Sequence, residues 1–293
     1  MRLEIIKKLD EGSSPIAVFN DGKRRFVQLV DTPKKVDKIK ELPEDEIKKF
    51  LSGDNTQVDL IIKALESRLN ETKYLNDNEH IFTLSDKDVP NSVMFMPDFK
   101  KERELIYCHG PSGAGKSTLV KKYAKEYKLL HPDNPIFVIS KIEGDESFDG
   151  MDYMQIPLDQ EILSSIDSAT FRDSLVVFDD TDTIADKKVR GMVDTIKDMI
   201  AQEGRHYNTS AFFCTHMGCN YQKTRILLNE CQKFIIFPQA AGKKQARNMF
   251  VGYGGMTGKK FEEVSAAPSR WCMLNNSYPN YLVYDNKIEL LTE

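Results

Sequence analysis

The stretch GPSGAGKST, running from Gly110 to Thr118, decides the reading of this chain, because it fits G-x-x-x-x-G-K-[ST]. It stands between the apolar run LIYCH and the helical stretch STLVKKYAKEYKLL. A strand, a glycine-rich turn and a helix in that order make a P-loop, which binds a nucleoside triphosphate. Gly110, Gly113 and Gly115 let the backbone curl so that successive N–H groups point inward at a phosphate, and the helix N-terminus adds its positive dipole. The nucleotide-binding set is therefore Gly110, Pro111, Ser112, Gly113, Ala114, Gly115, Lys116, Ser117 and Thr118. Lys116 is expected to reach the β- and γ-phosphates, and Ser117 to offer its hydroxyl to Mg²⁺. The alternative is a chance match in a Gly- and Ser-rich turn; the strand before it and the helix after it argue against that.

Composition supports an ordinary soluble protein, since 293 residues at 40% hydrophobic content are enough for a large core. No apolar run approaches the ~20 residues of a membrane span, and MRLEIIKKLDEG lacks the long apolar stretch of a signal peptide. Cys108, Cys214, Cys219, Cys231 and Cys272 form no C-x-x-C pair, so the expectation is buried thiols in a reducing compartment. A net charge of -4 argues against a surface coated in basic residues, yet it leaves room for a local basic lining.

The first eighty or so residues read apart from the rest, as a small α+β segment over 1–80 preceding a P-loop domain over 81–293. IAVFN and RFVQLV flank the turn Asn20, Asp21, Gly22, Lys23 as a hairpin. A helical pair follows, with Pro43 at a first turn, Gly53 at a stop, and Val58, Ile61, Ile62, Leu65 and Leu69 as one apolar stripe. No chemistry is expected of this segment.

Beyond it, LIYCH, IFVIS, LVVFDD, SAFFCT and KFIIFP alternate with helical stretches, the pattern of a parallel α/β sheet. LVVFDD is the Walker B candidate: Asp179 is expected to hold Mg²⁺, and Asp180 to polarise the attacking water. The competing account is that both aspartates cap a following helix, DTDTIADKKVRGMVDTIKDMI. The intervening strand IFVIS suits the RecA-like (ASCE) division of P-loop proteins better than a GTPase or a small-molecule kinase. Thr215 and His216, closing SAFFCTH, are placed to sense the γ-phosphate, or else His216 is simply solvated. Arg205, in EGRHYN, is a candidate arginine finger for a neighbouring subunit's site, with Arg225 and Arg247 as rivals and a structural salt bridge as the alternative.

Taken together, GPSGAGKST, IFVISKIEGDESFDG, LVVFDD, GRHYNTSAFFCTH and SRWCMLNNSYPNYLVYDNKIELL resemble the genome-packaging ATPases of large double-stranded DNA viruses, the poxvirus-type branch of the FtsK/HerA superfamily. The resemblance covers the region from the strand before the P-loop to the end of the chain. The chain departs from that superfamily's usual Gln or Asn sensor in having Thr215 and His216, and it has Asp180 where Glu is common. The resemblance implies a RecA-like ATPase with a C-terminal strand pair that uses ATP and Mg²⁺, assembles into a homo-oligomeric ring and pumps double-stranded DNA into a capsid. A capsid or portal component is the implied partner, and the host cytoplasm or the virion the implied location. Lys243, Lys244 and Arg247 in QAAGKKQARNM, with Lys259 and Lys260 after GYGGMTG, read as basic flexible loops able to line a DNA channel, or as solvated surface. Trp271 is expected to anchor the last strands. A nucleoside or small-molecule kinase and a P-loop switch without sustained turnover are the other readings; Arg225, Arg247 and Arg270 are too scattered for a kinase lid.

Overall fold

The computed structural model describes residues 1–10, 13–31, 74–75, 79–84, 93–98, 103–142, 144–220, 223–240 and 242–291. The helical pair expected around Pro43 and Gly53 lies outside the described residues. Strands β1 (Arg2–Ile6), β2 (Pro15–Asn20) and β3 (Arg24–Val30) precede β4 (Ile81–Thr83) and β5 (Met94–Phe95). Then come β6 (Leu105–His109), α1 (Lys116–Leu130), β7 (Ile136–Ser140), β8 (Met154–Gln155), α2 (Gln160–Ser165) and β9 (Leu175–Asp179). After them lie α3 (Lys187–Glu203), β10 (Ser210–Thr215), α4 (Arg225–Glu230), β11 (Lys233–Ile236) and α5 (Lys243–Arg247). The chain closes with α6 (Gly258–Ala266), β12 (Cys272–Asn275), β13 (Tyr281–Tyr284) and β14 (Lys287–Leu290).

A 10-stranded sheet in the order β4-β14-β13-β12-β11-β6-β10-β9-β7-β8 forms the body of the protein. From β11 to β8 every pair is parallel, and from β11 to β4 every pair is antiparallel. Strand β6, which precedes the glycine-rich loop, is thus separated by β10 from β9, the strand of the Walker B candidate, and β7 lies outside β9. This is the strand order expected of the RecA-like division. The expected C-terminal strand pair is a three-stranded antiparallel run that β4 extends by one more strand.

The central strands are apolar along their whole length because both faces are covered. Ile106 and Cys108 of β6 point into one core with Leu119, Val120 and Tyr123 of α1. Leu105 and Tyr107 point into another core with Val193, Ile196 and Ile200 of α3. All of β6, β9, β10 and β11 is buried, which is why these strands read as continuous apolar runs.

The N-terminal hairpin forms as expected, with Asn20 opposite Arg24 across the turn. Its 4-stranded sheet, β1-β3-β2-β5, takes its last strand from beyond residue 80. Leu3, Val18 and Phe95 share a core with α1, and Arg24 pairs with Glu126 on that helix. Trp271 is buried and meets Phe95 edge to face, at 5.7 Å between centroids.

Two expectations change. The helix after Walker B does not start at its aspartates: Thr181–Thr183 form a 3-10 turn, and α3 begins at Lys187, capped by Asp186. Asp180 adopts a left-handed backbone and makes no side-chain cap. The basic segment near the C-terminus is not a flexible loop but α5, a π-helical turn over Asn248–Tyr253, and α6. Gly254 serves close packing: a Cβ there would lie 2.5 Å from Leu274 and 2.7 Å from the Phe250 carbonyl.

Candidate nucleotide site

Strand register delivers the site. His109 ends β6 level with Thr215 on one side and Ile236 on the other, while Asp179 ends β9 level with Ser140. The carboxyl ends of the parallel strands therefore open on one edge of the sheet, where α/β folds bind ligands. The loop Gly110–Gly115 lies there, with Gly113 at φ 75 and Gly115 at φ 104, a left-handed conformation that disfavours a side chain. Gly110 is pressed against Phe237, whose ring carbon would be 2.7 Å from an added Cβ.

Lys116 is buried, and its ammonium donates to the carbonyls of Gly110 at 3.1 Å and Pro111 at 3.2 Å. It also lies 3.6 Å from Asp180 Oδ1. The hydroxyl of Ser117 donates to Asp179 Oδ2 at 2.8 Å. The other oxygen of Asp179 is buried with no hydrogen-bond partner. Burial raises the pKa of this carboxyl, against a smaller opposing effect of the Ser117 hydroxyl. A desolvated carboxylate with one free oxygen beside a serine hydroxyl fits a divalent cation held by a few protein ligands, waters and phosphates. Among the described residues no group of three or more His, Cys, Asp and Glu side chains forms a metal cage.

On the far side of Asp180, His216 Nε2 approaches Asp180 Oδ1 to 2.8 Å. Asp182 holds this arrangement: its Oδ2 accepts the His216 backbone N–H at 2.8 Å and lies 3.1 Å from the Thr215 hydroxyl. Thr215 is therefore tied to the turn after Walker B, and His216 is the side chain facing the carboxylate. Asp182 was not singled out from the sequence, although the acidic run DDTD carries it. The signal was a third carboxylate one turn beyond the first pair. His109 was also missed; it is buried, neither ring nitrogen is hydrogen-bonded, and burial pulls its pKa down to about 4.

Over 191 residues, 64% of this chain and 78% of the relative, the sequence is 35% identical to "Uncharacterized protein V3" of Sputnik virophage. The chain belongs to that protein's family. No protein-family model matches it. Among solved structures it is similar to the genome packaging NTPase B204 from Sulfolobus turreted icosahedral virus 2, at TM-score 0.41 and 14% identity, over 59% of this chain and 92% of that one. It is similar too to the cytoplasmic domain of the Type VII secretion ATPase EccC of Thermomonospora curvata, at TM-score 0.42 and 14% identity, over 73% of this chain and 28% of that one.

The remaining candidates lie apart from the glycine-rich loop. Arg205 is exposed in the 3-10 turn Gly204–Tyr207, which leads into β10 at the opposite end of the sheet. Its Nε lies 3.4 Å from His206 Nε2. Lys243, Lys244, Arg247 and Lys259 are exposed on α5 and α6. Lys260 is bonded to Glu289 and, at 2.9 Å, to Glu263. Among the described residues no helix is long and apolar enough to cross a membrane.

Proposed function

We propose that this protein is an ATP-hydrolysing motor that translocates double-stranded DNA and packages a viral genome. The observation that carries the reading is the convergence of Lys116, Ser117, Asp179 and Asp180 at the carboxyl ends of β6 and β9, with Ser117 2.8 Å from Asp179 and Lys116 3.6 Å from Asp180. The motif resemblance to genome-packaging ATPases supports the packaging role, and the virophage relative is in keeping with a viral setting.

In this reading the loop N–H groups cradle the β-phosphate, and Lys116 exchanges the Gly110 and Pro111 carbonyls for the β- and γ-phosphates. Ser117 and Asp179 would hold Mg²⁺, which when bound neutralises charge on the phosphate oxygens. Asp180 orients water and takes its proton as the water oxygen bonds to the γ-phosphorus and the bond to the bridging oxygen breaks, leaving ADP and phosphate. His216 steadies Asp180 from behind. Arg205, far from its own loop and exposed, acts on the site of the next subunit in a ring, neutralising transition-state charge. The exposed lysines of α5 and α6 contact DNA phosphates.

The test is steady-state ATP hydrolysis with and without long double-stranded DNA, with Lys116→Ala to exclude contaminating activity. Stimulation by DNA that weakens as salt rises is the expected result. Turnover indifferent to DNA would defeat the motor and favour a kinase or a switch.

A further inference from the structure

We propose that the groove between the first turns of α1 and the chain preceding β12 receives the nucleoside half of the nucleotide, with the Arg270 guanidinium laid against the base. The inference rests on the ATP reading above and names who holds the other end of the same ligand.

The strand order sets the direction. Asp179, Asp180 and His216 all lie on the β10 and β9 side of the P-loop strand. A triphosphate whose γ-phosphate meets them must run its sugar and base the other way, toward β11 and β12. A groove lies there, lined by Gly115, Thr118, Lys122, Phe237, Arg270 and Trp271. Its floor is apolar and fixed, because Phe237 and Trp271 are buried. Thr118 and Lys122 are exposed one turn apart on the same face of α1.

Arg270 alone brings a planar cation to this groove. Its side chain is exposed, and its Nη2 stands 4.0 Å from where a Cβ on Gly115 would lie. Its position is built rather than incidental. The buried Asp285 accepts the Arg270 backbone N–H at 3.1 Å and the Ser269 hydroxyl at 2.6 Å. The β13–β14 turn thus fixes the backbone from which the guanidinium reaches the loop. A delocalised guanidinium stacks on a π-face in a way that a lysine ammonium does not.

Tripolyphosphate carries the phosphates without the nucleoside, so it separates the two halves of the site. Binding of ATP and of tripolyphosphate is measured by calorimetry for the unaltered protein, Arg270→Lys and Arg270→Ala, with thermal melting of each as the folding control. Arg270→Lys is expected to weaken ATP about tenfold while leaving tripolyphosphate unchanged; Arg270→Ala should weaken ATP at least as much. Normal ATP binding by Arg270→Lys, or a parallel loss of both ligands in a variant that melts normally, would overturn the assignment, because Arg270 would then act through charge on phosphate. Failure of the unaltered protein to bind either ligand would instead overturn the ATP reading, and this inference with it.

Discussion

The two ends of strand β6 hold charged clusters of opposite character. At its amino end Glu104 and Lys233 are both buried, with Lys233 Nζ 2.6 Å from Glu104 Oε1. Every polar atom of that pair has a use: Lys233 also donates to the Met96 carbonyl at 2.9 Å, and Tyr123 donates to Glu104 Oε2 at 3.0 Å. At the carboxyl end, Asp179 and Asp182 each keep a buried oxygen without a partner, and His109 keeps two such nitrogens. Burying polar groups without partners costs stability, so the satisfied Glu104–Lys233 pair reads as architecture and the open carboxylate oxygens at the other end as groups able to take a ligand, although beside the pair Arg103 Nε is buried without a partner as well.

The contrast breaks most sharply at the satisfied end. Lys233→Met leaves Glu104 buried without its cation, and about 3–5 kcal/mol of stability should be lost in chemical denaturation. Pairing it with Glu104→Leu should recover most of that. A single variant as stable as the unaltered protein would show that the ion pair is not structural. At the other end, Asp180→Asn should reduce ATP turnover by ~100-fold or more while ATP binding and melting temperature hold. Full turnover would remove Asp180 from the chemistry, and a large drop in melting temperature would make it architecture like Glu104.

The sequence announced the unsatisfied end far better than the satisfied one. Backbone curl and phosphate chemistry demand particular residues at particular spacing, so GPSGAGKST and LVVFDD could be read locally. The apolar runs of β6, β7, β9, β10 and β11 were legible for the same reason, since each is buried on both faces. Glu104 with Lys233 and Asp182 with His216 are contacts made by strand register across the fold, and no local spacing encodes them. The basic C-terminal segment misled because glycine signals mobility and close packing alike; Leu274 lying 2.5 Å from a would-be Gly254 Cβ decides for packing.

His109 sharpens the comparison by pH. Burial lowers its pKa from 6.5 to about 4, so between those values the unfolded chain binds the proton more readily. This contribution to stability is complete above the unfolded value and is lost as pH falls through the folded one. Between pH 7 and 5 the loss should be about 2 kcal/mol. The raised pKa of Asp179 works in the opposite sense, so the comparison is with His109→Gln, whose stability should fall less over that range. Equal slopes would mean that His109 does not titrate as burial dictates.

The smallest effect separates two aspartates six residues apart in the same acidic run. Asp186 Oδ1 accepts the N–H groups of Lys188 at 2.7 Å and Val189 at 3.2 Å, satisfying donors that the first turn of α3 would otherwise leave open. Its role is complete within the helix end, whereas Asp180 caps nothing and faces Lys116 and His216. Asp186→Ala should therefore cost about 1 kcal/mol with turnover per folded molecule unchanged, and Asp186→Asn should cost less because the amide oxygen still caps. If Asp186→Ala cut turnover as deeply as Asp180→Asn, the division between capping and catalytic carboxylates would fail, and α3 would have to be part of the machinery that sets the position of Asp180.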